Sequence, residues 1–278
     1  MNKIDAIWIV SPIGYAHSHA FDVVAESFSK SLQELGHNVS IVTLNLASDY
    51  GLNKPTRLVF GANLLTYNGL QSQDIIYQAE QIGTSAITPK YLELLKTHEV
   101  WDYSKVNIAR LEKDYGIKAK HVPIGYHPCM TNPLIPKLTQ DIEVLFYGSI
   151  NQRRRVILDQ LKSKGLKVVE LFGVYGDKLD EYIARSKIVL NVHYYDTAIF
   201  EIFRCAYLFA NKKCVVSETG SDLDLEYNNR CLWSTYSQLV SQCLSALSSD
   251  SLKQEIAERS YRDFVLVSQK SILEGIMK

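Results

Sequence analysis

The sequence predicts an α/β protein built from two doubly wound domains. Short runs rich in Val and Ile alternate with amphipathic stretches of helix length along the whole chain, the pattern of βαβ units on a parallel sheet. A Pro-rich interruption falls near the middle, and beyond it the alternation starts afresh. At 278 residues, the chain has room for two modest domains of about 100–200 residues each.

Residues 4–10 form an apolar first strand that ends in the loop Ser11-Pro12-Ile13-Gly14. Residues 19–35 carry Phe21, Val24, Phe28, Leu32 and Leu35 on one helical stripe, and Gly36 stops that helix. Residues 38–44 are the second strand, so the opening is a βαβ unit with a parallel pair. Strands follow at 56–65, 74–79, 99–102 and 119–123, with helices at 89–97 and 104–115. Residues 125–138 hold three of the seven prolines and little periodicity, which marks a linker. The expected division is an N-terminal domain at 1–125, a linker at 126–139 and a C-terminal domain at 140–278. In the second half, strands are expected at 142–147, 166–172, 187–191, 214–216 and 231–233. Helices are expected from Arg154 toward Gly165 and at 179–185, 199–210, 236–247 and 252–277. The last is expected to pack back on the N-terminal domain.

Composition narrows the function. Hydrophobic residues make up 46% and charged residues 22%, ordinary for a globular enzyme, and the formal net charge is zero. A duplex-binding face needs clustered Lys and Arg, and only the run Arg153–Arg155 offers any, so no nucleic-acid partner is expected. The five Cys contain no CxxC pair, which fits reduced thiols in a cytoplasmic protein. No apolar run approaches the ~20 residues that span a bilayer. The expected location is the cytoplasm, with any membrane contact peripheral and on the inner face. The sequence does not set the oligomeric state.

Three stretches carry chemistry. After the first strand, Gly14 and Tyr15 lead to His17 and His19, which serve either as a general base or as ordinary polar loop residues. Next, Gly148 and Ser149 close a strand and open a helix whose first turn holds Arg153 and Arg154. Cations there oppose the helix dipole unless an anion is recruited, and a diphosphate suits the position; the alternative is a solvated charge run. Finally, residues 187–218 read as strand, loop, helix, strand and place His193, Glu201, Arg204, Ser217 and Glu218 near strand ends. A carboxylate such as Glu201 suits the two hydroxyls of a ribose, and Arg204 suits a phosphate, or the two form a plain helix-face ion pair. Glu218 serves there too or caps the turn holding Ser221, Asp222 and Asp224. There is no GxGxxG after the first strand, no GxxxxGK[ST], no GxSxG and no HExxH, so no cofactor or metal is expected.

GYAHSHAF followed by LQELGHNVSIVT, VWDYSKVNIARLEKDYGIKAKHVPIGY, VLFYGSINQRRRVIL and KIVLNVHYY…EIFR…CVVSE together resemble the GT-B glycosyltransferases, of the type seen in bacterial cell-surface glycan enzymes. That resemblance implies two Rossmann-like domains facing a central cleft, with a short N-terminal domain. It implies metal-independent transfer of a sugar from a nucleotide-sugar donor to a glycan, lipid or small-molecule acceptor. Gly148, Ser149, Arg153 and Arg154 would meet the diphosphate. His193, Glu201, Arg204, Ser217 and Glu218 would line the rest of the donor site. Gly14 and Tyr15 would form the acceptor loop, with His17 or His19 facing the acceptor. Many members carry a spaced pair of Glu around the donor helix; the second falls near Tyr207 here, so Glu201 is expected to stand in from one turn earlier. A nucleotide-sugar epimerase of the same fold, or a non-catalytic nucleotide- or glycan-binding module, are the alternatives.

Overall fold

A computed structural model describes residues 3–44, 56–66, 69–135, 138–220, 227 and 229–278. The chain divides into two compact units, one of Met1–Cys129 with Val267–Lys278 and one of Met130–Leu266.

The first unit holds β1 (Ile4–Val10), α1 (Asp22–Glu34), β2 (Ser40–Leu44), β3 (Thr56–Phe60), β4 (Ile75–Gln78), α2 (Pro89–Thr97), β5 (Glu99–Asp102), α3 (Lys105–Tyr115) and β6 (Lys120–His121). Its sheet runs β2-β1-β3-β4-β5-β6, and every pairing is parallel. A parallel sheet is covered on both faces, which is why β3 and β4 are buried at every residue. Edge strand β2 shows the reverse, with Ile41 40% exposed. Phe28 of α1 meets Phe60 and Tyr77 edge-on at 5.7 and 5.1 Å, tying helix to sheet.

The second unit holds β7 (Ile142–Tyr147), α4 (Gln152–Ser163), β8 (Val168–Leu171), α5 (Gly176–Arg185), β9 (Ser186–Asn191), α6 (Ile202–Ala210), β10 (Val215–Glu218), β11 (Leu232–Ser234), α7 (Leu239–Leu247) and α8 (Asp250–Val265). Its sheet runs β11-β10-β9-β7-β8, again all parallel. A final helix, α9 (Gln269–Met277), returns to the first unit. There Tyr126 N–H donates to Val267 O at 2.7 Å, Gln269 N–H donates to Tyr126 O at 2.9 Å, and Gly125 N–H donates to Gln269 Oε1 at 2.7 Å. A side chain at Gly125 would sit 2.6 Å from Val267 O, so only glycine allows this approach.

Among the boundaries that differ from those read in the sequence, four have a clear local reason. The helix expected from residue 19 opens with a 3-10 turn over Ala16–Phe21, and α1 starts at Asp22. The helix expected from residue 199 starts at Ile202, because Ile199 and Phe200 are buried as loop residues, with Phe200 packed on Phe209, Tyr227 and Trp233. The strand expected at 214–216 runs through Ser217 and Glu218, carried by pairing with β11. The single helix expected over 252–277 is two, because Ser268 is extended and caps α9 through Ser271 N–H. The turn holding Ser221, Asp222 and Asp224 lies outside the described residues.

Candidate functional site

In the second sheet the chain passes from β7 outward to β8 and then returns to place β9 on the other side of β7. That reversal is a topological switch point, where loops diverge beyond the carboxyl ends of neighbouring strands and leave room for a ligand. The loop after β7 carries Gly148 and Ser149, and the loop after β9 carries His193.

Asn151 begins α4 by accepting Arg154 N–H at 3.0 Å, while its Nδ2 donates to Tyr194 O at 2.8 Å, so one cap ties both loops together. Arg154 runs inward from the first turn of α4 and is 3% exposed. Its guanidinium donates to Val192 O and Ser149 O, both at 2.8 Å, and reaches Glu201 Oε1 at 3.4 Å. Burial, then the neighbouring Arg204, lowers its pKa to about 10, so it stays cationic at neutral pH. Arg153 turns the other way. It makes a bidentate pair with Glu218, one arm at 2.6 Å, also donates to His193 O at 3.2 Å, and lies 4.1 Å over the Tyr236 ring. The hydrogen bond to Glu218 raises its pKa.

Asn191, the fully buried last residue of β9, is the hub. Its Nδ2 donates to Glu201 Oε2 at 2.8 Å and Ser217 Oγ at 3.1 Å, and its Oδ1 accepts Arg204 Nη1 at 3.1 Å. Arg204 also lies against Gly148. With φ of +128°, Gly148 holds a conformation that side chains rarely adopt, and a Cβ there would stand 2.7 Å from Arg204 Nη2. His193 is fully buried, with Nε2 3.2 Å from Thr219 O and its backbone N–H donating to Glu218 at 3.1 Å. Nδ1 stands 3.0 Å from Glu201 Oε2, a close electrostatic contact off the line of a good hydrogen bond. Burial works against the imidazolium, but the charge of Glu201, and then of Glu218, outweighs it, and the pKa is raised. For Glu201, burial favours the acid, yet His193, Arg204 and Arg154 together hold the pKa at about 2.

The structure thus brings Ser149, Arg153, Arg154, His193, Glu201, Arg204, Ser217 and Glu218 into one hydrogen-bonded cluster within the second unit, with Gly148 close against Arg204. Three guanidinium groups and a basic imidazole face two carboxylates, so positive charge is in excess. Gly14, Tyr15, His17 and His19 belong to the first unit, on the loop and 3-10 turn after β1. Tyr15 and His17 meet edge-on at 5.2 Å, and His19 contacts Asp22 at 2.8 Å with both side chains half exposed.

Sequence reasoning missed Asn191, Asn151 and Tyr236. Asn191 had a readable signal, a polar residue at the inner end of the apolar run KIVLN. Asn151 was legible as a helix cap. Tyr236 was not, because its stacking on Arg153 exists only after α7 packs against the sheet. Among the described residues, no group of three His, Cys, Asp or Glu gathers as a metal-ligand set, and no helix is long and apolar enough to cross a membrane.

No family model matches the chain. It is 27% identical over 258 residues to an uncharacterized protein of Acanthamoeba polyphaga mimivirus, covering 86% of this chain and 82% of that protein. A second uncharacterized protein of the same virus is 29% identical over 239 residues, covering 80% of this chain and 31% of the viral one. Likeness to solved structures spans nearly the whole chain. HepE of Anabaena, in complex with UDP and glucose, superposes with a TM-score of 0.69 at 10% identity, covering 99% of this chain and 98% of that one. A glycosyltransferase from Rickettsia africae gives 0.60 at 12% identity, with coverage of 100% and 98%. Sucrose-phosphate synthase from Thermosynechococcus elongatus gives 0.61 at 10% identity, with coverage of 98% and 97%. The fold is that of the GT-B glycosyltransferases, two Rossmann-like parallel-sheet α/β domains. At these identities the likeness is one of fold.

Proposed function

We propose that the chain is a glycosyltransferase that moves a sugar from a nucleoside diphosphate donor to an acceptor hydroxyl on a glycan, a lipid-linked glycan or a small molecule. One observation carries the reading: the surplus of buried and half-buried positive charge at the switch point of the second unit. Burying charge is costly unless it is compensated, and a diphosphate would supply the missing negative charge. Backbone at Gly148 and Ser149 approaches the diphosphate, and Arg153 reaches it from α4. Arg154 braces the Ser149 loop from behind, and Arg204 fills the space left by the absent side chain at Gly148. Glu201 and Glu218 hold these cations in place, with Glu201 near the ribose and His193 and Ser217 completing the wall. The negative charge that develops on the departing nucleotide is stabilised there without a resident metal. Gly14, Tyr15, His17 and His19 face the acceptor from the first unit. The presence of UDP in the Anabaena structure makes UDP the first nucleotide to try.

The test is a thermal-shift screen of nucleoside diphosphates and nucleotide sugars, followed by product analysis. A ligand at 100 times its Kd raises apparent stability by about 2.7 kcal/mol, so a true donor stands out. Arg153→Ala should weaken the responding nucleotide by about tenfold, the loss of one charge-assisted contact. No response from any nucleotide, or an unchanged affinity in Arg153→Ala, removes the donor-site reading. A changed sugar with no acceptor consumed assigns an epimerase instead.

A further inference from the structure

Each unit carries a buried polar network at the carboxyl ends of its strands. In the first, Gln78 at the end of β4 donates from Nε2 to Glu80 O and accepts Glu80 N–H at Oε1, both at 2.6 Å. Asn107 of α3 donates to the same carbonyl and accepts Ile82 N–H, both at 2.9 Å. Asp102 at the end of β5 accepts from Gln78 Nε2 at 2.9 Å, Ser104 N–H at 2.7 Å and Asn107 Nδ2 at 3.3 Å. Every one of these contacts pairs a hydrogen with a lone pair. In the second unit the His193 ring meets that condition only with an extra proton. The ring is fully buried, and both nitrogens face oxygens that carry no hydrogen: Nε2 lies 3.2 Å from Thr219 O, and Nδ1 lies 3.0 Å from Glu201 Oε2. Glu201, with a pKa of about 2, supplies no proton. A neutral imidazole has one N–H, so either tautomer turns a lone pair on one of the two oxygens. The imidazolium presents a hydrogen to each side. Nδ1 is off the line of a good hydrogen bond to Glu201, but attraction between unlike charges does not need that alignment. The backbone holds the ring in place: His193 N–H donates to Glu218 at 3.1 Å, and its O accepts Arg153 Nη1 at 3.2 Å.

We propose that His193 is a positioning residue of the donor site that works as a cation: its imidazolium neutralises Glu201, leaves the charge of Arg154 and Arg204 uncancelled for the diphosphate, and makes nucleotide-sugar binding weaken when the proton is lost. This rests on the donor-site reading above. The charged and titratable groups around the ring are Glu201 before α6 and Arg204 within it, Arg153 and Arg154 on α4, and Glu218 on β10. Its own loop adds Tyr194, whose ring lies 5.1 Å from the Arg154 guanidinium. Arg154 reaches Glu201 at 3.4 Å, against 3.0 Å for His193, so the imidazole is the nearer cation to that carboxylate. Burial works against the proton, yet Glu201 and then Glu218 outweigh it, and the pKa is raised from 6.5. Loss of the proton turns the charge of Glu201 onto Arg154 and Arg204 and lowers the positive surplus by one, and both changes oppose an anion. The sign follows: affinity is full below the raised pKa and falls as pH rises through it. By linkage, the bound nucleotide sugar must tighten proton binding at His193 by the same factor that deprotonation weakens the nucleotide sugar.

The experiment uses the full chain and UDP-glucose, whose diphosphate is esterified at both ends and so lacks the terminal phosphate ionisation near ~6 that UDP would add. Calorimetric titration across about pH 5.5–8.5 gives the affinity, and NMR of the His193 ring over the same range, with and without UDP-glucose, gives its protonation. The dissociation constant should grow about tenfold as pH rises through the His193 midpoint, and saturating UDP-glucose should tighten proton binding there about tenfold. A merely structural imidazole would show no such coupling. His193→Gln, neutral at every pH, should bind at the weak level throughout, with a flat profile. A midpoint that UDP-glucose leaves unmoved, a wild-type affinity that is constant across the range, or a variant with the wild-type affinity or pH profile each overturns the proposal and leaves the donor-site reading standing. If the variant does not fold, the two wild-type measurements decide alone. Absence of UDP-glucose binding by the wild type at every pH overturns the proposal through the donor-site reading itself.

Discussion

The two units carry polar networks of similar size at equivalent ends of similar sheets, yet their charges are opposite in kind. In the second unit Glu201 is surrounded by Arg154, Arg204 and His193, and its acidity rises. In the first unit Asp102 and Glu80 are surrounded by amides, and their acidity falls because burial dominates. One fold plan therefore yields one cluster that lowers a carboxyl pKa and one that raises it. The difference lies in which residues end the strands, Asn191 and Glu218 in one sheet, Gln78 and Asp102 in the other.

The largest expected effect comes from breaking the charged network. Glu201→Ala leaves Arg154, His193 and Asn191 without their shared carboxylate and should cost about 3–5 kcal/mol, measured by urea unfolding. A loss under about 1 kcal/mol, the range of an exposed ion pair, would mean that the second-unit network is no more than surface charge. Gly148→Ala comes next. It forces a side chain into a left-handed backbone against Arg204, and should cost about 1–3 kcal/mol by urea unfolding and weaken nucleotide binding in a calorimetric titration.

The pH dependence sharpens the contrast because the carboxyl groups of the two units respond in opposite directions. Glu201 falls from 4.5 to about 2 on folding, so its contribution is complete above pH 4.5 and fades as pH drops toward 2. His193 is raised from 6.5, so its contribution is complete below that value and fades as pH rises through the folded one. Glu80 and Asp102 are raised from 4.5 and 3.8, so their relative stabilisation is present below those values and is lost as pH rises through the raised ones. Hydrogen exchange resolved by segment should show the β4–β5 ends tightening as pH falls through the raised pKa values of Glu80 and Asp102. The β7–β9 ends should loosen below pH 4.5 as Glu201 is protonated, and again as pH rises through the raised pKa of His193. Parallel behaviour in both segments would erase the distinction. The smallest effect belongs to His19→Ala, whose exposed contact with Asp22 should change stability by less than about 0.5 kcal/mol in a thermal melt.

Most strands were legible because a doubly buried strand is a bare apolar run, as in residues 142–147 and 187–191. Helix starts were legible where a side chain caps them, as Ser104 does for α3. What failed was apolar content that belongs to packing rather than periodicity: Ile199 and Phe200 read as helix but are core residues of a loop. The second-unit cluster was visible as polar residues at strand ends. Its wiring was not, since the Arg153 and Arg154 side chains leave adjacent positions in opposite directions. The first-unit amides went unnoticed because Gln and Asn carry no charge pattern, and their importance appears only when Gln78 and Asn107 converge on one carbonyl.

The return of α9 to the first unit has a consequence for biosynthesis. Residues 130–266 form an uninterrupted segment and are able to fold as soon as they clear the ribosome. The older, N-terminal sheet must wait for Val267 and Gln269 to complete its hydrogen bonds at Gly125 and Tyr126. The part of the chain that is translated first is therefore finished last, and a chain truncated after Leu266 and released should expose α1 to proteolysis while leaving the second unit resistant.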